Sequence, residues 1–280
     1  MCRWLAYTGS PVLIEDLLYK PEHSLIVQSM HARLGVEPMN GDGFGVGWYD
    51  DQETPGLFRS TEPAWNDRNL RELTGHIHSP MVLAHVRAST GTPVQQTNCH
   101  PFRRGRWLWM HNGAIAGVHQ ARRELAMAVD PALFPDIEGS TDSELFFYLA
   151  LTHGLESDPP AAVARAVGFI EEVCRRHGEA FPMQMTVATT DGETLYGFRY
   201  SSEGRSRSLF HSSDVSALKA QYPDNPLLHG LSDDARLVVS EPLGDLRGAW
   251  REVPESTCVV ISHGQQTMQP FAPSSLASIA

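Results

Sequence analysis

The chain has 280 residues, 41% of them hydrophobic and 20% charged, values that suit a globular protein with a proper core. A formal net charge of -11, with no Lys/Arg-rich run longer than Arg103-Arg104, argues against binding a phosphate backbone and points to a small-molecule substrate. No stretch approaches the roughly 20 apolar residues that span a bilayer, and Met1 to Ala6 lacks the apolar core of an export signal, so the expected compartment is the cytoplasm.

The first eight residues alternate, with Cys2, Trp4 and Ala6 on one face and Leu5 and Tyr7 on the other, which predicts a short strand. A glycine-rich turn at Asn40-Gly41-Asp42-Gly43 leads into a second strand over 44–49. A third strand is predicted over 81–87 and a fourth over 106–110, ending at His111-Asn112-Gly113, where Asn-Gly calls for a tight turn. Helical spacing covers 65–73 and 117–129, and Thr141-Asp142-Ser143 opens an apolar helical run over 145–151 as a capping sequence does. Pro159-Pro160 starts a further helix that runs to Arg176, with His177-Gly178 as its stop. Strands return over 183–190 and 194–200, flanking the hairpin signal Asp191-Gly192, and again over 237–240 and 258–262. The order strands, helices, strands suits two stacked sheets with helices outside, a layered α+β domain over residues 1–270 with 271–280 as a loosely held tail.

Chemistry begins with the cysteines. Cys2, Cys99, Cys174 and Cys258 contain no Cys-x-x-Cys pair, so neither a zinc site nor a redox dithiol is expected, and no metal or cofactor is called for. Cys2 is the informative one, because removal of Met1 would put a thiol and a free α-amine on one residue. With pKa values of about 8.5 and about 7.7–8.0, the pair can supply its own nucleophile and base. The plainer alternative is a small hydrophobe that follows the start codon by chance.

Three further segments offer what amide hydrolysis needs. Arg87, at the end of an apolar strand, carries a fork that matches a carboxylate, and Thr90 and Thr92 can donate to the same group. The side-chain amide of Asn112 and the N–H of Gly113 can serve a tetrahedral oxyanion, although as a bare pattern Asn-Gly is more often only a hairpin turn. Asp142 suits a helix N-terminus and can also hold an ammonium, though capping alone would explain it. A surface acid as partner is the plain reading of Arg87.

Taken in order, Met-Cys at the N-terminus, Gly41-Asp42-Gly43-Phe44-Gly45, Arg87-Ala88-Ser89-Thr90, His111-Asn112-Gly113 and Thr141-Asp142-Ser143-Glu144 resemble the class II glutamine amidotransferases. The resemblance implies the four-layer αββα sandwich of N-terminal nucleophile hydrolases. It implies Cys2 as nucleophile with its amine as base, Asn112 and Gly113 as the oxyanion hole, Arg87 with Thr90 on the substrate α-carboxylate, and Asp142 on its α-ammonium. Met1-Cys2-Arg3, Pro21-Glu22-His23-Ser24, and Asn98-Cys99-His100-Pro101-Phe102 are similar to a stand-alone branch. That branch includes a subunit of a glutathione-degradation complex and the γ-glutamyl amidohydrolase of ergothioneine synthesis. Met39 stands where large biosynthetic members often carry Arg, and Ala88 where some carry Trp, which implies a pocket altered for a larger γ-glutamyl substrate.

The expected reaction is therefore hydrolysis of a γ-glutamyl amide through a Cys2 thioester, releasing glutamate and an amine or ammonia. With no room for a synthase domain, the alternatives are ammonia delivery to a separate partner subunit and a non-catalytic subunit of a γ-glutamyl peptide degradation complex. An acylase that starts with a processed cysteine is the rival enzyme, and Asp142 discriminates against it. A papain-like pair of Cys99 and His100 is disfavoured, since adjacent strand residues face opposite ways.

Overall fold

The first strand, β1 (Arg3–Leu13), divides its side chains between two cores. Trp4 and Ala6 enter one with Leu108, Met110 and Val259, whereas Leu5 and Tyr7 enter another with Ile14, Leu18 and Leu70. That division is the period-2 alternation of a strand buried on both faces. The computed structural model describes residues 2–34, 39–89 and 91–274; Met1, Thr90 and the stretches 35–38 and 275–280 lie outside the described residues.

The elements that follow are α1 (Ile14–Leu18), α2 (Leu25–Met30), β2 (Phe44–Trp48), β3 (Gly56–Ser60), α3 (Arg68–Thr74), β4 (His78–Val86), β5 (Phe102–Arg104) and β6 (Trp107–Ile115). Three longer helices come next, α4 (Val118–Met127), α5 (Asp142–Thr152) and α6 (Pro159–Arg176). The second half holds β7 (Met183–Thr190), β8 (Thr194–Ser201), β9 (Phe210–Ser212), α7 (Val215–Gln221), α8 (Pro226–His229), β10 (Arg236–Val239), β11 (Trp250–Glu252), β12 (Thr257–Ser262) and β13 (Gln265–Pro270).

The strands form two antiparallel sheets, ordered β11-β9-β10-β1-β4-β2-β3 and β13-β12-β8-β7-β6-β5. Apolar residues from both sheets meet between them, among them Trp4, Leu83, Met110, Ala188 and Ile261. The outer face of the first sheet is covered by Ile14, Leu17 and Leu18 of α1, Leu25 of α2 and Leu70 of α3. The outer face of the second is covered by α4, α5 and α6, whose Leu125, Phe146, Phe147, Val163 and Ile170 pack on Trp109, Met185 and Phe198. The layers are helix, sheet, sheet, helix, the four-layer αββα sandwich that the resemblance implies.

Local chemistry explains the best-predicted boundaries. The Asp158 side chain accepts the N–H of Ala161 and Pro159 sets the first turn of α6, which spans the predicted 159–176. Gly192, at φ 94°, makes the β7–β8 turn.

Three expectations need correction. The fourth strand does not end at His111: β6 continues to Ile115, with His111, Asn112 and Gly113 opposite Val187, Thr186 and Met185 of β7. Pairing with a long buried neighbour overrides the local turn preference of Asn-Gly. The helix expected over 65–73 is divided into a single turn at Ala64–Asn66 and α3, because the Asp67 side chain caps Leu70 N–H and starts a new helix. The tail is docked at its start: Phe271 is buried against Phe198 and Tyr200, and Ser274 N–H donates to the Ala164 carbonyl at 3.0 Å.

Candidate active site

Register sets the first half of the site. Arg3 of β1 and Phe44 of β2 both pair with Val86 at the end of β4, so Cys2 and Arg87 leave the sheet side by side. The thiol of Cys2 lies 3.6 Å from the carbonyl of Ala88, and the Cys2 carbonyl accepts a bond from Arg3 Nη1 at 2.9 Å. Cys2 is half-buried. Burial pushes its thiol pKa up, and the cations Arg87 and Arg3 pull the other way.

Arg87 is 3% exposed, and its guanidinium is ringed by neutral acceptors. Nη1 donates to the Asp42 carbonyl at 3.3 Å, and Nη2 donates to Ser89 Oγ at 3.0 Å and Thr92 Oγ1 at 2.6 Å. The Asp42 carboxylate instead accepts Ser89 N–H at 2.7 Å. Among the described residues no carboxylate pairs with Arg87. A buried cation in that state is costly unless an anion arrives. Thr90, expected beside it, lies outside the described residues.

The second half of the site comes from the other sheet. Asp142, the first residue of α5, accepts Ile115 N–H at 2.9 Å through Oδ2 and Ser143 N–H at 2.8 Å through Oδ1. Thr141 caps the helix by accepting Glu144 N–H at 3.1 Å, so Asp142 does not serve as the cap itself. Ala116 N–H points toward the β7 side, to Pro182 O, whereas Ile115 N–H points away from it. Alternation then places Gly113 N–H on the same open edge as Ile115 N–H. Asn112 stands on the opposite face from His111, in step with Leu108 and Met110, which fill the space between the sheets toward β1. Gly113 is required by close approach: a Cβ there would come within 1.9 Å of the Gln184 carbonyl oxygen.

Cys2, Arg87, Ser89, Thr92, Gly113 and Asp142 line one cavity of about 300 Å³, which continues past Ile115 to His119 and Arg122. Asn112 is 3% exposed and is not among the residues lining that cavity. Of the two departures from the biosynthetic pattern, Ala88 lines the cavity and Met39 is exposed elsewhere.

Three buried histidines lie at the cavity: His100 and His111 line it, and His85 stands behind them. His85 and His100 stack with centroids 4.2 Å apart, and His111 Nδ1 bonds with Ser143 Oγ at 2.8 Å. Burial lowers the pKa of all three. Arg87 adds to the effect on His85, which falls to about 3, and the other histidines and Arg87 add to it on His100. Nearby Asp142 opposes part of the effect on His111. Burial thus favours the neutral imidazole at all three. Among the described residues no group of three or more His, Cys, Asp or Glu is placed to hold a metal ion.

A lowered histidine pKa makes the unfolded chain the stronger proton binder below its ordinary pKa of about 6.5. Stability is therefore full above that pH and is lost as pH falls toward 3. The expected slope is about 1.4 kcal/mol per pH unit for each histidine that must take up a proton. Denaturant midpoints between pH 7 and 4 test this; a flat profile would count against buried neutral imidazoles.

Cys99 is buried, with its thiol directed at Ser60 O at 3.3 Å and its pKa raised by burial, and it makes no hydrogen bond to His100. It has the surroundings of a structural cysteine. The sequence did not single out Asp42 and Ser89, which support Arg87, or the Ser143 contact of His111; the Asp42 and Ser143 contacts span 45 and 32 positions and leave no spacing signal, whereas Ser89 stands two residues from Arg87 and was locally findable.

The family model described as "Glutamine amidotransferases class-II" matches residues 19–278. The chain is 34% identical over 301 residues to the probable glutamine amidotransferase DUG3 of Saccharomyces cerevisiae, covering 97% of this chain and 84% of that protein. It is 30% identical over 253 residues to the gamma-glutamyl-hercynylcysteine sulfoxide hydrolase of Mycolicibacterium smegmatis, covering 86% and 99%. A solved structure described as a glutamine aminotransferase class-II domain protein from Silicibacter pomeroyi superposes with a TM-score of 0.75 at 34% identity, covering 98% of this chain and all of that one.

Proposed function

For a chain that belongs to the class II glutamine amidotransferases, we propose that Cys2 hydrolyses the γ-glutamyl amide bond of a small molecule through a thioester. The observation that supports it most is the single cavity holding Cys2, the unpaired buried cation Arg87 and the carboxylate of Asp142. A γ-glutamyl group ends in an α-carboxylate and an α-ammonium, and these two side chains are its charge complement.

Removal of Met1 frees the Cys2 α-amine, which takes the thiol proton. The thiolate adds to the amide carbon, and the oxygen gains negative charge next to Gly113 N–H on the cavity wall; the Asn112 amide can add a second donor only if it turns toward the cavity. Collapse breaks the C–N bond, and the amine's proton leaves with the nitrogen. Water then adds to the thioester, giving its proton to the amine, and glutamate departs with the thiol restored. These steps call on no histidine for proton transfer, since the α-amine of Cys2 carries each proton.

The cavity does not end at Asp142. His119 is exposed and Arg122 half-buried at its far side, and neither side chain has an ion pair or hydrogen bond among the described residues. A cation beyond the one a glutamyl group needs, Arg122, with His119 beside it as a hydrogen-bonding group, favours a substrate with a further carboxylate, such as a γ-glutamyl peptide, over free glutamine. Arg122→Ala is expected to raise KM for a γ-glutamyl dipeptide about two- to fivefold, the worth of a partly exposed charge pair, and to leave KM for glutamine unchanged. An equal rise for both substrates would remove the case for the peptide. The reaction itself is tested by comparing turnover of glutamine, a γ-glutamyl dipeptide and an acyl-glycine; preference for the acyl-glycine would overturn it.

A further inference from the structure

His100 has no task in the proton transfers above, yet its ring is firmly seated at the cavity. It stacks on His85 with centroids 4.2 Å apart and tilts against Phe102 at 4.4 Å. Gly45 makes the seat, because it pairs with His85 across β2 and β4. A Cβ at Gly45 would collide with the His100 carbonyl, so glycine lets the segment before β5 settle over the sheet there. With two rings packed on it, the imidazole reaches other groups by its edge, where both nitrogens lie.

His100 is 3% exposed, and neither ring nitrogen has a hydrogen-bond partner among the described residues. Such a group is costly to bury. Burial favours the neutral ring, with the other two histidines and Arg87 adding to the effect. A neutral imidazole has one N–H to donate and one bare nitrogen to accept. His111 lines the same cavity, but its nitrogens bond with Ser143 Oγ at 2.8 Å and the Gln184 carbonyl at 3.4 Å. His85 does not line the cavity. Among the described residues, His100 is therefore the histidine that both faces Cys2 across the cavity lining and keeps its edge available.

Opening a thioester at Cys2 needs a water that stays in a cavity of about 300 Å³ while the glutamyl group occupies it. A confined water takes about three polar partners. The bare nitrogen of a neutral imidazole can be one of them, and the hydroxyls of Ser140 and Ser143 line the same cavity.

We propose that His100 holds the water that opens the Cys2 thioester, and that it acts in the second half of the reaction only. The proposal rests on the reading of Cys2 as nucleophile. The water oxygen bonds to the acyl carbon as the C–S bond breaks. One water proton passes to the Cys2 α-amine and on to the sulfur, and the other stays hydrogen-bonded to the imidazole. His100 takes up no proton at any stage.

His100→Phe keeps an aromatic ring for His85 and Phe102 to pack on and removes the polar edge. In rapid-quench experiments on the full chain with a γ-glutamyl dipeptide, the released amino acid reports thioester formation and glutamate reports its opening. The variant should release the amino acid within about twofold of the wild-type rate in the first turnover. It should form glutamate about tenfold more slowly or worse, the scale of one lost hydrogen bond. Intact mass should then find a glutamyl group on Cys2, and hydroxylamine, a nucleophile that need not be held, should clear it as fast as in the wild type.

Wild-type enzyme is measured first: failure to form a glutamyl thioester at Cys2 sinks the reading of the nucleophile and is distinct from failure of His100. The role of His100 is overturned if thioester formation slows as much as its opening, the mark of an oxyanion donor or a packing residue. It is also overturned if both rates stay at their wild-type values. Melting temperature controls for folding, and if His100→Phe does not fold, His100→Leu is judged by the same two rates.

Discussion

Cys2→Ala is expected to lose turnover by on the order of 10⁴-fold or more, the scale seen when a nucleophile is removed from a hydrolase, while the melting temperature stays within a few degrees. Cys2 precedes β1 and is half-buried, so its sulfur fills little of the core. Its nearest polar contact is a long one to the Ala88 carbonyl. Losing the thiol therefore removes chemistry and hardly any packing. Binding should survive: Arg87 and Asp142 are untouched, and the variant should still bind a non-hydrolysable γ-glutamyl compound. Cys99→Ala gives the control, with activity kept. A Cys2→Ala protein that still turns over would end the proposal, whatever else the cavity binds. Intact mass adds a condition, since a chain that keeps Met1 lacks the free α-amine that serves as base.

Arg87→Met should lower kcat/KM by about 30- to 5000-fold, from the roughly 2–5 kcal/mol of truncating one partner of a buried charge pair. Most of that should be KM. The ligand-free melting temperature should hold or rise, because a buried guanidinium with only neutral acceptors costs the fold something that methionine does not. Arg87→Lys should rescue little, since a point charge cannot grip a carboxylate with two parallel bonds. The result to fear is an Arg87→Met protein with wild-type kcat/KM and a fallen melting temperature. That pattern would make Arg87 a structural tie between Asp42, Ser89 and Thr92.

Residues 2–7 displayed their alternation in the sequence, and the structure sends Trp4 and Ala6 to one core and Leu5 and Tyr7 to another as that pattern requires. α6 was legible because a capping Asp, two prolines and a closing Gly mark its ends locally. β9 and β11 were not legible, since three residues do not establish a period. Asn112-Gly113 misled for the opposite reason: it carries a strong local turn signal that the neighbouring strand overrules. In the site, Cys2, Arg87 and Asp142 could be picked out through a resemblance and lie around one cavity. The buried ion pair beside it, Arg3 with Glu241, could not, because nothing near Ser240 announces that the Glu241 carboxylate will meet Arg3 at 3.0 Å across 238 positions of chain. Contacts of that separation exist only in the folded sheet.

The two sheets do not share the site's parts evenly. Cys2 and Arg87 belong to the ends of β1 and β4, whereas Gly113 and Asp142 belong to β6 and the helix over it. Neither sheet alone has both the proposed nucleophile and the proposed place for the charge it would create. Activity is therefore a late event in the life of the chain. During refolding, strand signals in circular dichroism should recover first, and turnover should return only with the step that buries Trp4 against Met110 between the sheets. Indole fluorescence would time that step, so that the enzyme's own catalysis becomes a clock for the closing of its core.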